Sequence, residues 1–400
     1  MTMSTERIEY LDALRAFALI LGVVFHAGLS FMPVFIGWAV MDINTSPAIS
    51  IFSLVSHSFR MPLFFLIAGF FTCMSLQKYG VNALVTSRAV RLGIPFIAGW
   101  FLLRPLLVSG WVMGGASMRG EADIPDGLWQ GLQSLTELPA GMFTGTHLWF
   151  LYYLMLCTAI AVVLIKLLER VPATSQSLTV VGRRVLVWLC ASRSGLMLRC
   201  LLVAGCLWWM DHWGLDTPDK SLWPHLPLLL IYGGFFLLGW GLYQHQFLLA
   251  DFMQINWHRL TSLGIAVMGA IYLSAYEMHP GHEFYLYFKA GFVVCYASMM
   301  WLLIAVLMTV CKRLFSQPNT AIRYLSARAY WLYLIHLPLV VWLQVAFAEM
   351  PLYWIVKLIS ITVLTLAIAF ALFELMVKKT WLKHILSGAS KPLAERAGQA

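Results

Sequence analysis

The chain has 400 residues, of which 60% are hydrophobic and only 11% charged, and its formal net charge is +9. This composition, with a mean hydropathy of +0.78, excludes a soluble globular protein and predicts an integral membrane protein. The positive charge does not require a nucleic-acid partner, because basic loops next to anionic lipid headgroups explain it.

Apolar stretches long enough to cross a bilayer as a helix recur about ten times along the chain. Most of the 27 Lys and Arg fall in the connections on one side of these stretches, which predicts that both termini are cytoplasmic. We expect an all-α membrane bundle over residues 1–386 and a disordered cytoplasmic tail at 387–400. The predicted spans centre on Leu21, Phe64, Leu102, Met155, Leu198, Phe236, Val267, Met299, Leu339 and Leu366.

The first span contains two polar residues in the segment RAFALILGVVFH, Arg15 and His26. They are about three helical turns apart, so they share one helix face and lie roughly 16 Å from each other along the axis. An ionisable residue inside a membrane is a functional candidate. An imidazole can accept a hydroxyl proton near neutral pH, which favours His26 as a general base. Asp12 precedes Arg15 by one helical turn, so an ion pair between them is the alternative for Arg15.

The second span begins with HSFRMPLFFLIAGFF, which carries His57, Arg60 and Pro62. Arg60 should lie at a depth similar to that of His26, and the sequence offers no acid near it. A buried cation needs a partner, so we expect Arg60 to bind a substrate anion. Pro62 interrupts helical hydrogen bonding, which is tolerated where protein or a cavity satisfies the freed backbone groups.

The third and fourth spans begin with further candidates. Arg88 and Arg91 in SRAVRLGIP lie on one helix face at the cytoplasmic side, where two guanidinium groups suit phosphates, although topology alone also favours basic residues there. His147 and Trp149 in GTHLWFLYYL lie at the outer side. We interpret Trp149, with Tyr152 and Tyr153, as an interfacial aromatic belt rather than a sugar platform.

The remaining chain adds two candidate residues and two long connections. His336 in YLIHLPL suits packing or function equally, and Glu374 can pair with Lys378 one turn later. The acidic connection Met113–Thr146 is the longest on the outer side, and long connections are often functional. The polar and basic stretch Val171–Arg184 is expected to be a flexible cytoplasmic loop.

The seven cysteines lie in or beside apolar segments without CxxC spacing, which predicts free thiols and no metal site. P-loop, GxSxG and HExxH motifs are not found.

Together, the segments quoted above resemble the acyltransferase 3 family of membrane enzymes in order and spacing. In that family, Arg-x10-His on the first helix and Arg-x-x-Arg on the third are the signatures, and Arg15/His26 and Arg88/Arg91 occupy those places. HSFRM and HLWFL are most similar to the corresponding segments of those family members that lie in the bacterial inner membrane. These enzymes are thought to succinylate osmoregulated periplasmic glucans with cytoplasmic succinyl-CoA as the donor. The resemblance implies an acyl-CoA donor, a glucan acceptor and no permanently bound cofactor.

The combined interpretation is an O-acyltransferase in contact with membrane lipid. The expected catalytic residues are His26, Arg60 and Arg15, and the expected acyl-CoA ligands are Arg88 and Arg91. Candidate substrate-binding residues are His57, His147, Trp149, His336 and Glu374. A secondary transporter or exporter that uses the same bases as a substrate or proton path is the alternative, although no internal repeat of the kind that transporters contain is visible.

Overall fold

The computed structural model describes residues 8–118, 123–136, 146–380 and 382–386, and all regular secondary structure in these ranges is helical. The prediction of an all-α protein is therefore confirmed. The first half contains α1 (Glu9–Gly28), α2 (Pro47–Arg88), α3 (Ile94–Ser117), α4 (Ile124–Gln133), α5 (Trp149–Glu169), α6 (Pro172–Ala191) and α7 (Arg193–Trp208). The second half contains α8 (Leu226–Gln244), α9 (Leu248–Phe252), α10 (Trp257–Ser274), α11 (Tyr285–Leu314), α12 (Thr320–Phe347), α13 (Trp354–Leu372) and α14 (Leu382–Leu386).

Among the described residues, 7 helical stretches are long and apolar enough to cross a membrane, or up to 8 if the bent pair formed by α6 and α7 is one span. One of them, Pro47–Ser117, is 71 residues long and contains two predicted span centres, Phe64 and Leu102. Gly80 divides this stretch, because its φ of 78° leaves helical geometry. The chain is therefore a multi-pass membrane protein. Ten spans and cytoplasmic termini stay predictions.

The segment Val171–Arg184 is mostly helical, so the prediction of a flexible loop was wrong. Helix α6 begins at Pro172, whose fixed φ suits a first helical turn. Its side chains from Thr179 to Val185 are exposed, as they would also be in a loop, so composition did not separate the two structures. A bend of 96° follows, and the Ser192 hydroxyl caps α7 by accepting the Gly195 N–H at 2.8 Å.

The acidic outer connection is only partly described, since Glu121 and Glu137 lie outside the described residues. Within it, α4 packs against α3 through two glycines. A Cβ on Gly131 would lie 2.4 Å from the Pro105 carbonyl oxygen, and a Cβ on Gly127 would lie 2.4 Å from Met113. Because Pro105 is midway along α3, α4 folds back beside that helix instead of projecting away from the bundle.

Helices α2 and α8 touch backbone to backbone. A Cβ on Gly69 would lie 1.9 Å from the Phe236 carbonyl oxygen, and one on Gly239 would lie 1.8 Å from the Leu66 carbonyl oxygen. Such approach is possible only for glycine, and it is a common way to join membrane helices. The contact fixes α2, which carries His57 and Arg60, within the bundle.

All seven cysteines are free, as predicted. The main apolar core extends from Tyr10 to Leu386, and a second, small cluster joins Ala39 and Val40 to α12 through Val341. The tail at 387–400 lies outside the described residues.

Candidate active site

A continuous cavity of about 4020 Å³ runs through the bundle. Arg15, Lys78, Arg88 and Arg91 line one part of it, which we call the basic end. Trp38, Trp111 and the connection between α7 and α8 line another part, which we call the loop end. The residues that line the cavity are exposed at both ends: Lys78 is exposed at the basic end and Trp223 at the loop end. The cavity therefore connects two faces of the bundle.

His26 lies on the wall of this cavity, in the last turn of α1. Its ring stacks against Trp38, with centroids 5.7 Å apart and planes 15° apart, and contacts the ring of His336 at 5.3 Å. Nδ1 of His26 is buried and has no hydrogen-bond partner. Four bases lie near enough to act electrostatically on His26, namely His336, Arg60, His147 and His57.

The buried amide of Gln344 fixes the backbone of α1 below this ring. Its Nε2 donates to the carbonyl oxygens of His26 at 2.9 Å and Ala27 at 3.0 Å, while its Oε1 accepts Trp38 Nε1–H at 2.9 Å. The same side chain therefore holds both the catalytic candidate and the indole that stacks on it. This pair was not predicted from the sequence, although a glutamine inside an apolar stretch was a usable signal.

Arg60 is a buried cation without an acid partner among the described residues. It lines the cavity and is only 5% exposed. Its guanidinium lies 4.1 Å from the centroid of the Phe25 ring, and its Nη1 is buried without a hydrogen bond. A cation–π contact stabilises the charge only partly, so the guanidinium keeps unused hydrogen-bonding capacity beside the cavity.

Three further histidines line the same cavity, His57, His147 and His336, and each has a ring nitrogen near a backbone carbonyl oxygen. A carbonyl oxygen can only accept, so that nitrogen carries the proton. Pro338 makes one of these bonds possible: it lacks an N–H, which leaves the Leu334 carbonyl oxygen to accept His147 Nε2–H at 2.7 Å. The structure thus brings all four predicted histidines together.

The basic end combines both predicted arginine groups. Arg88 donates to the Thr72 hydroxyl at 2.5 Å, and Arg91 lies in a short π-helical turn, Ala89–Gly93, that joins α2 to α3. Arg15 donates to Asp12 at 3.4 Å, so the alternative ion pair exists although Arg15 still lines the cavity. Lys78 joins this group, although it was not predicted to be a site residue.

The interpretation of Trp149 as part of an interfacial belt was wrong. Trp149 is 7% exposed and Tyr153 is fully buried, and Trp149 lines the cavity. Trp149 stacks on Tyr232 of α8, with ring centroids 5.7 Å apart. The connection between α7 and α8 covers the neighbouring tyrosines: its His225 N–H donates to the Tyr153 hydroxyl at 2.9 Å, and Tyr152 donates to its Leu222 carbonyl oxygen at 2.6 Å. This connection runs far from α5 in sequence, which is why the burial was not predictable.

Glu374 lies outside the cavity lining. Its carboxylate accepts from Arg328 at 2.9 Å and from Lys378 at 2.5 Å. The pairing with Lys378 is the alternative that the sequence left open, and Arg328 adds a second partner from α12. The geometry gives no support to a substrate-binding role for Glu374.

The fold and the site define a class: a helical integral membrane protein whose buried histidines and arginines face one cavity. The family model described as "Acyltransferase domain" matches residues 8–374. The chain therefore belongs to the acyltransferase 3 family.

Curated relatives agree with this assignment. The chain is 23% identical to Glucans biosynthesis protein C of Escherichia coli (strain K12) over 407 residues, which cover 98% of this chain and 96% of the relative. It is 24% identical to the protein of the same name from Escherichia coli O81 (strain ED1a) over 400 residues, with the same coverage. No solved structure matches the chain.

Proposed function

We propose that this acyltransferase moves an acyl group, succinyl by preference, from cytoplasmic acyl-CoA to a hydroxyl of a periplasmic glucan, with His26 as the general base. One observation carries the proposal: a single cavity extends from Arg88 and Arg91, past His26, to the loop end. Such a path lets a donor and an acceptor from opposite sides of a membrane meet at one imidazole.

The basic end suits the phosphates of the donor. Arg15, Lys78, Arg88 and Arg91 place four cations around one cavity mouth, and guanidinium groups bind phosphate oxygens in a bidentate manner. Arg15 and His26 are roughly 16 Å apart along α1, a gap that an extended pantetheine arm spans. The thioester then lies near His26.

Transfer at His26 forms an ester and breaks a thioester. The acceptor hydroxyl gives its proton to His26, and its oxygen attacks the thioester carbonyl carbon. The tetrahedral intermediate collapses with cleavage of the C–S bond, and the CoA sulfur takes the proton back from the imidazolium. The products are the acylated glucan and CoA thiol. Proton transfer of this kind contributes about 10²–10⁴ in rate.

Arg60 is the cation that suits the negative charge in this reaction. Its guanidinium, which lines the cavity, either stabilises the oxyanion of the intermediate or binds the free carboxylate of a succinyl group. His57, His147 and Trp149 line the same cavity and are assigned to the acceptor. The glucan itself is suggested by the name of the relatives.

The test uses the purified full chain in detergent with succinyl-CoA or acetyl-CoA and a β-glucan, and measures free CoA thiol. We expect thiol release that depends on the glucan and is faster with succinyl-CoA. His26→Ala should abolish release, while His258→Ala, at an exposed position, should not. Wild-type turnover in the His26 variant would refute the base. Absence of glucan-dependent release would favour a transporter.

The same assay separates direct transfer from an acyl-histidine intermediate. A covalent intermediate predicts a burst of one thiol per enzyme before the acceptor is added, whereas direct transfer predicts none.

A further inference from the structure

The ring of His336 has a defined tautomer. Its Nδ1 lies 2.7 Å from the carbonyl oxygen of Tyr333 and 3.2 Å from that of Leu332. Since both partners are acceptors, Nδ1 carries the proton, and Nε2 of the neutral ring has a free lone pair. His336 lines the cavity and is 4% exposed. It is thus a hydrogen-bond acceptor that α12 holds on the cavity wall.

The ring of His26 has the complementary need. To take a proton on Nε2, His26 must carry its resting proton on Nδ1, and that nitrogen is buried without a partner. A buried N–H without an acceptor is unfavourable. In hydrolases of the serine class, a carboxylate accepts this proton and holds the base in the correct tautomer. Here the groups that act on His26 are three histidines and Arg60.

Among the described imidazoles, His336 is the one whose ring contacts that of His26, with centroids 5.3 Å apart and planes 45° apart. We propose that Nε2 of His336 accepts a hydrogen bond from Nδ1–H of His26 and so fixes its tautomer and orientation. His336 is then a positioning residue rather than a substrate contact. The bond closes when substrate binds, as catalytic hydrogen bonds often do.

A neutral acceptor has an advantage at this position. A carboxylate beside His26 would also lie near Arg60 and neutralise it, because the electrostatic influence of Arg60 reaches His26. An imidazole orients the base and leaves the charge of Arg60 for the substrate. This inference rests on the proposed function, because it assigns a role relative to His26 as the base.

The test compares His336→Leu with His336→Gln in steady-state transfer from succinyl-CoA to the β-glucan. Leucine removes the acceptor, so we expect kcat to fall about 100-fold with KM for both substrates near the wild-type value. Glutamine places an amide oxygen near the position of Nε2, so it should restore kcat to within about tenfold of the wild type. Thr365→Val, which removes an unpaired buried hydroxyl on the neighbouring helix α13, is the matched control and should leave kcat unchanged.

Three results would overturn the inference. Unchanged kcat in His336→Leu would show that His26 needs no orienting partner. An increase in KM for the glucan alone would make His336 a substrate contact. A His336→Gln variant that folds but is as inactive as His26→Ala would mean that the imidazole itself is required. If His336→Leu does not fold, the kcat of His336→Gln alone tests the inference. Failure of the proposed function looks different, since the wild type would then show no glucan-dependent thiol release, and failure of His26 as the base would leave turnover in His26→Ala.

Discussion

Replacing Gly239 by alanine should loosen the contact that holds α2 against α8. The new Cβ would lie 1.8 Å from the Leu66 carbonyl oxygen, whereas real Cβ contacts are not shorter than 3.0 Å. The two backbones must therefore separate by more than about 1 Å, and overpacking of this kind costs about 1–3 kcal/mol. Alanine gains up to about 1 kcal/mol over glycine inside a helix, so the clash outweighs the propensity. We expect a lower melting temperature.

Gly233 is the matched control, because it lies on the same helix and a Cβ there would meet nothing within 4 Å. Gly233→Ala should leave the melting temperature unchanged or raise it. Tryptophan fluorescence during thermal unfolding in detergent measures both variants. A Gly239→Ala protein as stable as the wild type would refute the backbone contact. The same variant should also lose turnover, because displacement of reacting groups by about 1 Å can cost 10²-fold in rate.

Three other substitutions test separate parts of the molecule. Asp42→Ala should destabilise the fold by about 3–5 kcal/mol, because it removes the partner of a buried ammonium group. That group is Lys357 Nζ, which is fully buried and lies 2.7 Å from the Asp42 carboxylate. In thermal unfolding, the double variant with Lys357→Met should recover most of this loss. Arg88→Ala should raise KM for succinyl-CoA about 10- to 100-fold, as loss of a charge-assisted hydrogen bond implies, with little change in kcat; an unchanged KM would remove Arg88 from the donor site. Trp38→Ala exposes one face of His26, so thiol release without glucan should rise, and an unchanged background rate would show that the indole excludes no water.

The residues that could be predicted from the sequence are those whose type is costly in a membrane. Arg15, His26 and Arg60 stand out because few charged or imidazole groups occur inside apolar stretches, and each needs a reason to be there. The structure places all three on one cavity. Helical spacing along α1 was enough to relate Arg15 to His26, since both lie on a single regular element.

Contacts between distant segments could not be predicted. Trp38 follows α1 in a connection without periodicity, and its place above His26 depends on Gln344, 306 residues away. The burial of Trp149 depends on α8, whose Tyr232 ring stacks on it. The helix α6 was hidden because an exposed helix and a loop have similar polar composition. The local sequence does not determine where Trp38 lies or whether Trp149 is buried, because both depend on contacts with segments distant in the chain.

Vectorial transfer across a sealed membrane tests the central claim most directly. Proteoliposomes would contain the β-glucan inside and receive succinyl-CoA outside, on molecules oriented with the basic end outward. The account predicts succinylated glucan inside, free CoA outside, and neither product with His26→Ala. Free CoA or intact succinyl-CoA inside the vesicles, or transfer only when both substrates are on the same side, would contradict it.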